Sequence, residues 1–132
     1  SFVALWGGMG AGKRMRTADS ETVKKIALEL GGKNPHIIFA DADLDDAIDN
    51  AVTAVFLHSG QVCSAGTRLL VERSVHDRVV SDIVRRAKGI HMGGPDDLLA
   101  ETGPLISKAH LEKVGSYVNS GLAEGAKLLT GG

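Results

Sequence analysis

The sequence predicts an α/β fold with parallel strand pairing, on three observations. Short runs rich in Val, Ile and Leu alternate with segments whose apolar residues recur every three or four positions, so strand and helix periods interchange along the chain. Glycine-rich or proline-bearing turns punctuate them, as in GGMGAGK at 7–13 and GGKNP at 31–35. The chain has 132 residues, enough for a hydrophobic core without a disulfide or a metal to staple it. Alternation of this kind makes helices the crossovers between parallel strands.

Phe2–Trp6 is an apolar run closed by glycines and is expected as the first strand. A helix is expected from about Gly10 to Ala18, and a second strand over Val23–Leu28, with Lys24 and Lys25 inside it. After the GGKNP turn, His36–Ala40 reads as a third strand. Leu44, Ala47, Ile48, Ala51, Val52 and Val55 then share one helical face. Asp43 is placed to cap that helix, Asp45 and Asp46 sit at the positive end of its dipole, and Gly60 lies past its C-terminus. Leu69–Glu72 is a fourth strand and Val75–Ala87 an amphipathic helix through Val79, Val80, Ile83 and Val84. Leu111, Val114, Val118 and Leu122 mark a further helix, and Lys127–Leu129 is expected as a closing strand. There is no internal repeat and no low-complexity segment.

Charge and composition exclude several function classes. Fifteen basic residues face sixteen acidic ones, for a formal net charge of −1. The basic residues form small groups scattered among acids, which reads as solvated helix faces and not as a nucleic-acid footprint. No apolar run approaches membrane-spanning length, so no membrane association is expected. A single cysteine, Cys63, allows no internal disulfide and fits a reducing, cytoplasmic compartment. SFVALW opens without a methionine or a polar lead-in, and TGG closes on turn residues. The chain is therefore expected to be a segment of a longer protein, with strand edges left exposed that favour association of the isolated piece.

Two motifs can carry chemistry. GGMGAGKR at 7–14 lies between a strand and a helix, where backbone N–H groups and the helix dipole face a phosphate. Gly7, Gly12 and Lys13 match G-x-x-x-x-G-K, but Arg14 stands where a magnesium-binding hydroxyl belongs. The dinucleotide fingerprint G-x-G-x-x-G fails as well, since Lys13 occupies the third glycine position counted from Gly8 and Gly10. Phosphate binding and a plain tight turn both remain open for this loop. A nucleoside triphosphatase is disfavoured, by Arg14 and by the lack of an apolar strand ending in a metal-binding aspartate.

The second motif pairs ELGGKNP at 29–35 with GQVCSAG at 60–66. A thiol becomes a good nucleophile in a partly open, dipole-rich setting such as a glycine-flanked loop, although a lone cysteine is more commonly a buried small hydrophobe. Glu29 shifts that balance, because it ends an apolar strand just before Gly31 and Gly32, where a carboxylate projects from the end of a sheet. His58 lies near Cys63 in sequence and invites a Cys/His pairing, but it falls in the last turn expected for a helix, where histidine is a favourable dipole partner. His36, His76, His91 and His110 are too scattered for a metal site.

ELGGK followed by proline, then GQ-x-C with the cysteine at 63 coming 34 positions after the glutamate at 29, closely resembles the two active-site signatures of the NAD(P)-dependent aldehyde dehydrogenases. The resemblance runs along the whole chain, through DADLDDA, ETGPLIS and EGAKLLTGG, and covers the middle portion of that longer family. HSGQVCSAGTRLLVE is most like the betaine-aldehyde type. The resemblance implies the end of a Rossmann-type coenzyme domain over 1–30 and the first part of an α/β catalytic domain over 31–132. It implies that an aldehyde is oxidised to a carboxylic acid with NAD or NADP, NAD being favoured, and that the full-length protein is a homo-oligomer.

By the same resemblance, Cys63 attacks the aldehyde and Glu29 activates water against the resulting thioester, while Gly7, Gly8, Gly12 and Leu30 contact the cofactor. Two positions depart from the family pattern. Trp6 and Gly8 stand where a threonine and a serine are usual, which puts an indole near the nicotinamide and removes a hydroxyl from the pyrophosphate. The family's oxyanion-hole asparagine and most of its ribose contacts lie outside these residues. A catalytically inactive relative, or a fold segment with a packing or assembly role, is the alternative that Trp6 and Gly8 favour.

Overall fold

The computed structural model describes residues 1–132. β1 (Phe2–Gly7) and β2 (Lys25–Leu30) pair in parallel, in register from Phe2 with Lys25 to Gly7 with Leu30. Parallel neighbours need a crossover, and α1 (Met9–Asp19) supplies it. The helix lies close to the strands because Gly12, buried in its first half, has no side chain. A Cβ there would come within 3.2 Å of the Leu30 side chain.

The second strand begins later than the apolar run that predicts it. Val23 adopts φ +48° and lies in a turn, and the Asp19 carboxylate accepts the Lys24 N–H at 3.0 Å. The turn that closes α1 thus takes the residues expected to open the strand, and pairing starts at Lys25.

β3 (Pro35–Ile38) and β4 (Arg68–Val71) form a second parallel pair. Between them run α2 (Leu44–Phe56) and a single 3-10 turn at Leu57–Gly60; α3 (His76–Gly89) follows β4. Asp43 caps α2 as its position predicts, its carboxylate accepting the N–H groups of Asp45 at 3.2 Å and Asp46 at 3.4 Å. Ile38, Ile48, Ala51 and Val79 form the buried core, with Leu44, Ala47, Leu69, Val71, Val75 and Ile83 packed against it. The apolar stripes of α2 and α3 therefore meet each other and the β3–β4 pair. Arg78–Asp45 at 2.9 Å and Arg86–Asp49 link the two helices at their polar rim.

β3 stops two residues before the end that its sequence predicts. Its last ladder bond is Glu72 N–H to the Ile38 carbonyl at 2.9 Å, after which the Glu72 carboxylate accepts the Ala40 N–H at 2.8 Å. The same carboxylate accepts the Ser74 hydroxyl at 2.6 Å. The Ser74 hydroxyl first, and the Ala40 N–H second, hold the Glu72 carboxyl below its ordinary value. A lowered folded-state value means that this contribution is complete above the ordinary carboxyl range and fades as pH falls through the folded value. Glu72→Gln should therefore lower the thermal midpoint of the full-length protein at neutral pH, with the gap narrowing in acid. Equal midpoints at neutral pH would dismiss the contribution.

α4 (Lys108–Ala123) is capped by Ser107, whose hydroxyl accepts the His110 N–H at 3.2 Å. No residue of α4 is buried. The expected closing strand over Lys127–Leu129 does not form, because no neighbouring strand offers it a ladder. An isolated parallel bridge between Met92 and Thr102 appears instead. Only seven residues are buried, and the surface of 9906 Å² compares with about 6,600 Å² for a compact monomer of this mass. Large apolar side chains such as Trp6, Tyr117 and Ile106 stand exposed.

Candidate active site

Two chain reversals place the sequence-predicted residues. The first is the end of β2. Trp6 and Glu29 are register partners across β1 and β2, so their side chains leave the same face of the sheet. Gly31 and Gly32 then carry the chain out of the sheet toward β3.

The second reversal follows α2. His58 (φ 51°, ψ 39°), Ser59 (φ 57°, ψ 33°) and Gly60 (φ 75°) lie in the left-handed region in succession. Such backbone is uncommon for residues other than glycine and needs outside support. Ser59 has that support, its hydroxyl donating to the Gly103 carbonyl at 2.8 Å and lying 3.0 Å from the Thr102 hydroxyl. His58 is thus not in the last turn of an α-helix, as its sequence position predicts. The tie from Ser59 to Thr102 and Gly103 reverses the chain first, and His58 faces the cleft lined by Gly93, Pro95 and Thr102.

From this reversal the chain delivers Gln61, Val62 and Cys63 to the end of β2. A cleft of about 380 Å³ is lined there by Trp6, Gly7, Glu29, Leu30, Gln61 and Cys63 among others. That volume falls within the range of small-molecule sites. Cys63 and Glu29 are both exposed, so each can meet a ligand in the cleft. Trp6, 74% exposed, forms an aromatic wall of the same cleft. A second opening of similar size lies beside Arg16, Asp19 and Lys24, and neither Cys63 nor Glu29 lines it.

Gly7 ends β1 in this cleft, and Gly8 is the N-cap of α1 without a side-chain hydrogen bond. A Cβ on Gly8 would meet nothing within 4 Å, and the first turn of α1 carries no acidic residue. The positive end of the helix is therefore open to an anion. Leu30 does two things: its side chain packs on Gly12, and it lines the cleft with Cys63. Gly12 is buried under Leu28 and Leu30, so it sets how closely α1 approaches the sheet.

Gly32 and Asn34, the second of which the sequence does not single out, hold the turn that carries Cys63. Asn34 Nδ2 donates to the Cys63 carbonyl at 2.8 Å and to the Ala65 carbonyl at 3.5 Å. A Cβ built on Gly32 would collide with the Cys63 carbonyl oxygen, so only glycine lets the chain pass there. An asparagine in a turn is a signal for side-chain bonding to backbone, but nothing in its spacing points across to Cys63. No group of three or more His, Cys, Asp or Glu side chains is placed to hold a metal ion, and no helix is long and apolar enough to cross a membrane.

Residues 1–132 match the sequence profile of the aldehyde dehydrogenase family. The chain is 55% identical over 131 residues to betaine aldehyde dehydrogenase of Bacillus subtilis (strain 168), a match covering 99% of this chain and 27% of that protein. Its fold matches the crystal structure of betaine aldehyde dehydrogenase from Staphylococcus aureus in complex with NAD+, with a TM-score of 0.93 and 44% identity over 98% of this chain and 26% of that one. HpcC from Thermus thermophilus gives a TM-score of 0.93 and 42% identity over 97% of this chain and 25% of its own. The chain thus spans about a quarter of the length of these relatives. A match along every residue, joined to a fold shared with solved members, makes this chain part of the aldehyde dehydrogenase family.

Proposed function

We propose that the full-length protein containing this chain oxidises an aldehyde to a carboxylic acid with NAD as hydride acceptor. The observation that carries this reading is the meeting of Glu29 and Cys63 in one cleft, although 34 positions separate them in sequence. Residues 1–30 then belong to the end of the coenzyme domain and 31–132 to the start of the catalytic domain, a division supported by the two separate parallel strand pairs.

The residues present fit a dinucleotide. Gly7 and Gly8 leave the N-terminus of α1 open to a pyrophosphate, Gly12 brings α1 close to the sheet, and Leu30 both packs on Gly12 and lines the cleft that holds Cys63. Bound NAD supplies the acceptor for the hydride. Relatives solved in complex with NAD+ favour it over NADP.

The thiolate of Cys63 attacks the aldehyde carbon, forming a C–S bond while the carbonyl oxygen gains a proton. Loss of hydride from that carbon and of the hydroxyl proton leaves a thioester on the sulfur. Glu29 then takes a proton from water as the water oxygen attacks the thioester carbon. The C–S bond breaks, the acid leaves and the thiol is restored.

The second reading, an inactive relative, draws on Trp6 and Gly8. The indole narrows the cleft, and Gly8 offers no hydroxyl to a pyrophosphate. Assaying the full-length protein with NAD and betaine aldehyde, beside a panel of aliphatic and aromatic aldehydes, separates the two. Aldehyde-dependent NADH formation is the expected result. NAD binding without turnover on any member of the panel would replace the enzyme with the inactive relative.

A further inference from the structure

We propose that Asn34 is a positioning residue for Cys63, a role that rests on reading Cys63 as the nucleophile. No backbone N–H engages the Cys63 carbonyl; its partner is the Asn34 side-chain amide at 2.8 Å. The same NH2 group reaches the Ala65 carbonyl at 3.5 Å, so one side chain spans the two carbonyls on either side of Ser64. Asn34 is anchored in turn, since its own carbonyl accepts the Arg68 N–H at 3.1 Å. The Arg68 guanidinium donates to the neighbouring Lys33 carbonyl at 3.2 Å, and Gly32 abuts the Cys63 carbonyl with no room for a side chain. Gly32 and Asn34 thereby meet the turn that carries the thiol, while Lys33 and Asn34 are tied to Arg68 at the start of β4.

The consequence for chemistry follows from peptide geometry. A carbonyl held in place fixes the plane of its peptide unit, and that plane fixes ψ of Cys63. The direction in which the Cα–Cβ bond leaves the backbone, relative to the end of β2 and Glu29, is set with it, and so is the arc that Sγ can sweep. Without the amide, the Cys63 carbonyl turns to water and the turn is released to sample other planes. The thiol then spends only part of its time facing the cleft. The donor has to be neutral as well as present, because an anion at position 34 would face two carbonyl oxygens and the thiolate.

The test compares wild type with Asn34→Ala, which removes the donor, and Asn34→Ser, which keeps a shorter one, all in the full-length protein. In Asn34→Ala, kcat and the rate of the NADH burst should fall together by about tenfold to a hundredfold, the range that misplacement of a reacting group produces. KM for NAD and the thermal midpoint should stay at their wild-type values, and Asn34→Ser should recover most of the loss. Cys63 should also be alkylated more slowly by iodoacetamide in Asn34→Ala, followed by mass spectrometry of its peptide. This readout needs no aldehyde turnover. Absence of turnover in wild type would overturn the proposed function, whereas equal alkylation rates in wild type and Asn34→Ala would overturn the role of Asn34. Equal impairment of the alanine and serine variants, or a loss that tracks a fallen midpoint, would likewise reduce Asn34 to a structural residue.

Discussion

Cys63→Ser should abolish aldehyde oxidation by the full-length protein, with kcat falling by at least about a thousandfold, as removal of a covalent nucleophile does elsewhere. The fold should be indifferent. Cys63 is exposed, lies outside the buried core, and differs from serine by one atom. The thermal midpoint and the affinity for NAD should therefore match wild type while both the burst and the steady state vanish. Serine is the informative replacement, because its hydroxyl fills the same position but does not ionise near neutral pH. Turnover at the wild-type rate would remove Cys63 from the chemistry altogether.

Glu29→Gln should cost about a hundredfold to ten thousandfold in steady-state turnover, the usual worth of a positioned general base. Its signature is different. The first equivalent of NADH should still form in a burst, because acylation of Cys63 needs no base on water, and the thioester should then accumulate. Acid quenching and mass spectrometry should find the acyl group on the peptide containing Cys63. A lost burst with cofactor binding intact would mean instead that Glu29 acts on the thiol. Glutamine keeps the size and the place of the side chain at the end of β2, opposite Trp6 in the register, so altered packing does not imitate either result.

The parts of this structure written into short stretches were legible in the sequence. The Asp43 cap bonds N–H groups two and three residues away, and the stripe through Ile48 and Ala51 needs only its own periodicity to be recognised. The pairing of ELGGK with GQ-x-C was legible through resemblance to a family, and the cleft brings those two segments together. What escaped was set at long range. Ser59 takes a left-handed backbone because Thr102 and Gly103 hold its hydroxyl, more than 40 residues away in sequence. The periodicity of α2 says nothing of that. The apolar run Val23–Leu28 predicts strand from its first residue, yet Asp19 takes the backbone of Lys24, the neighbour of Val23. Lys127–Leu129 has the composition of a strand, but a strand exists only with a partner, and none stands beside it.

The grip of Asn34 on the Cys63 carbonyl closes a loop of 29 residues, whereas the α2 cap and the turns beside it close loops of two or three. Loop-closure entropy grows with the logarithm of length, so this contact carries a larger ordering cost than those local ones. In the time order of folding it belongs with the non-local contacts, which form after helices and turns have begun to settle. During synthesis the asparagine leaves the ribosome before the cysteine, and the anchor is exposed before the group it anchors. A chain that has made its helices but not yet joined β3 to β4 therefore carries its thiol on a wandering turn. Cys63 is tethered in the same event that completes the sheet.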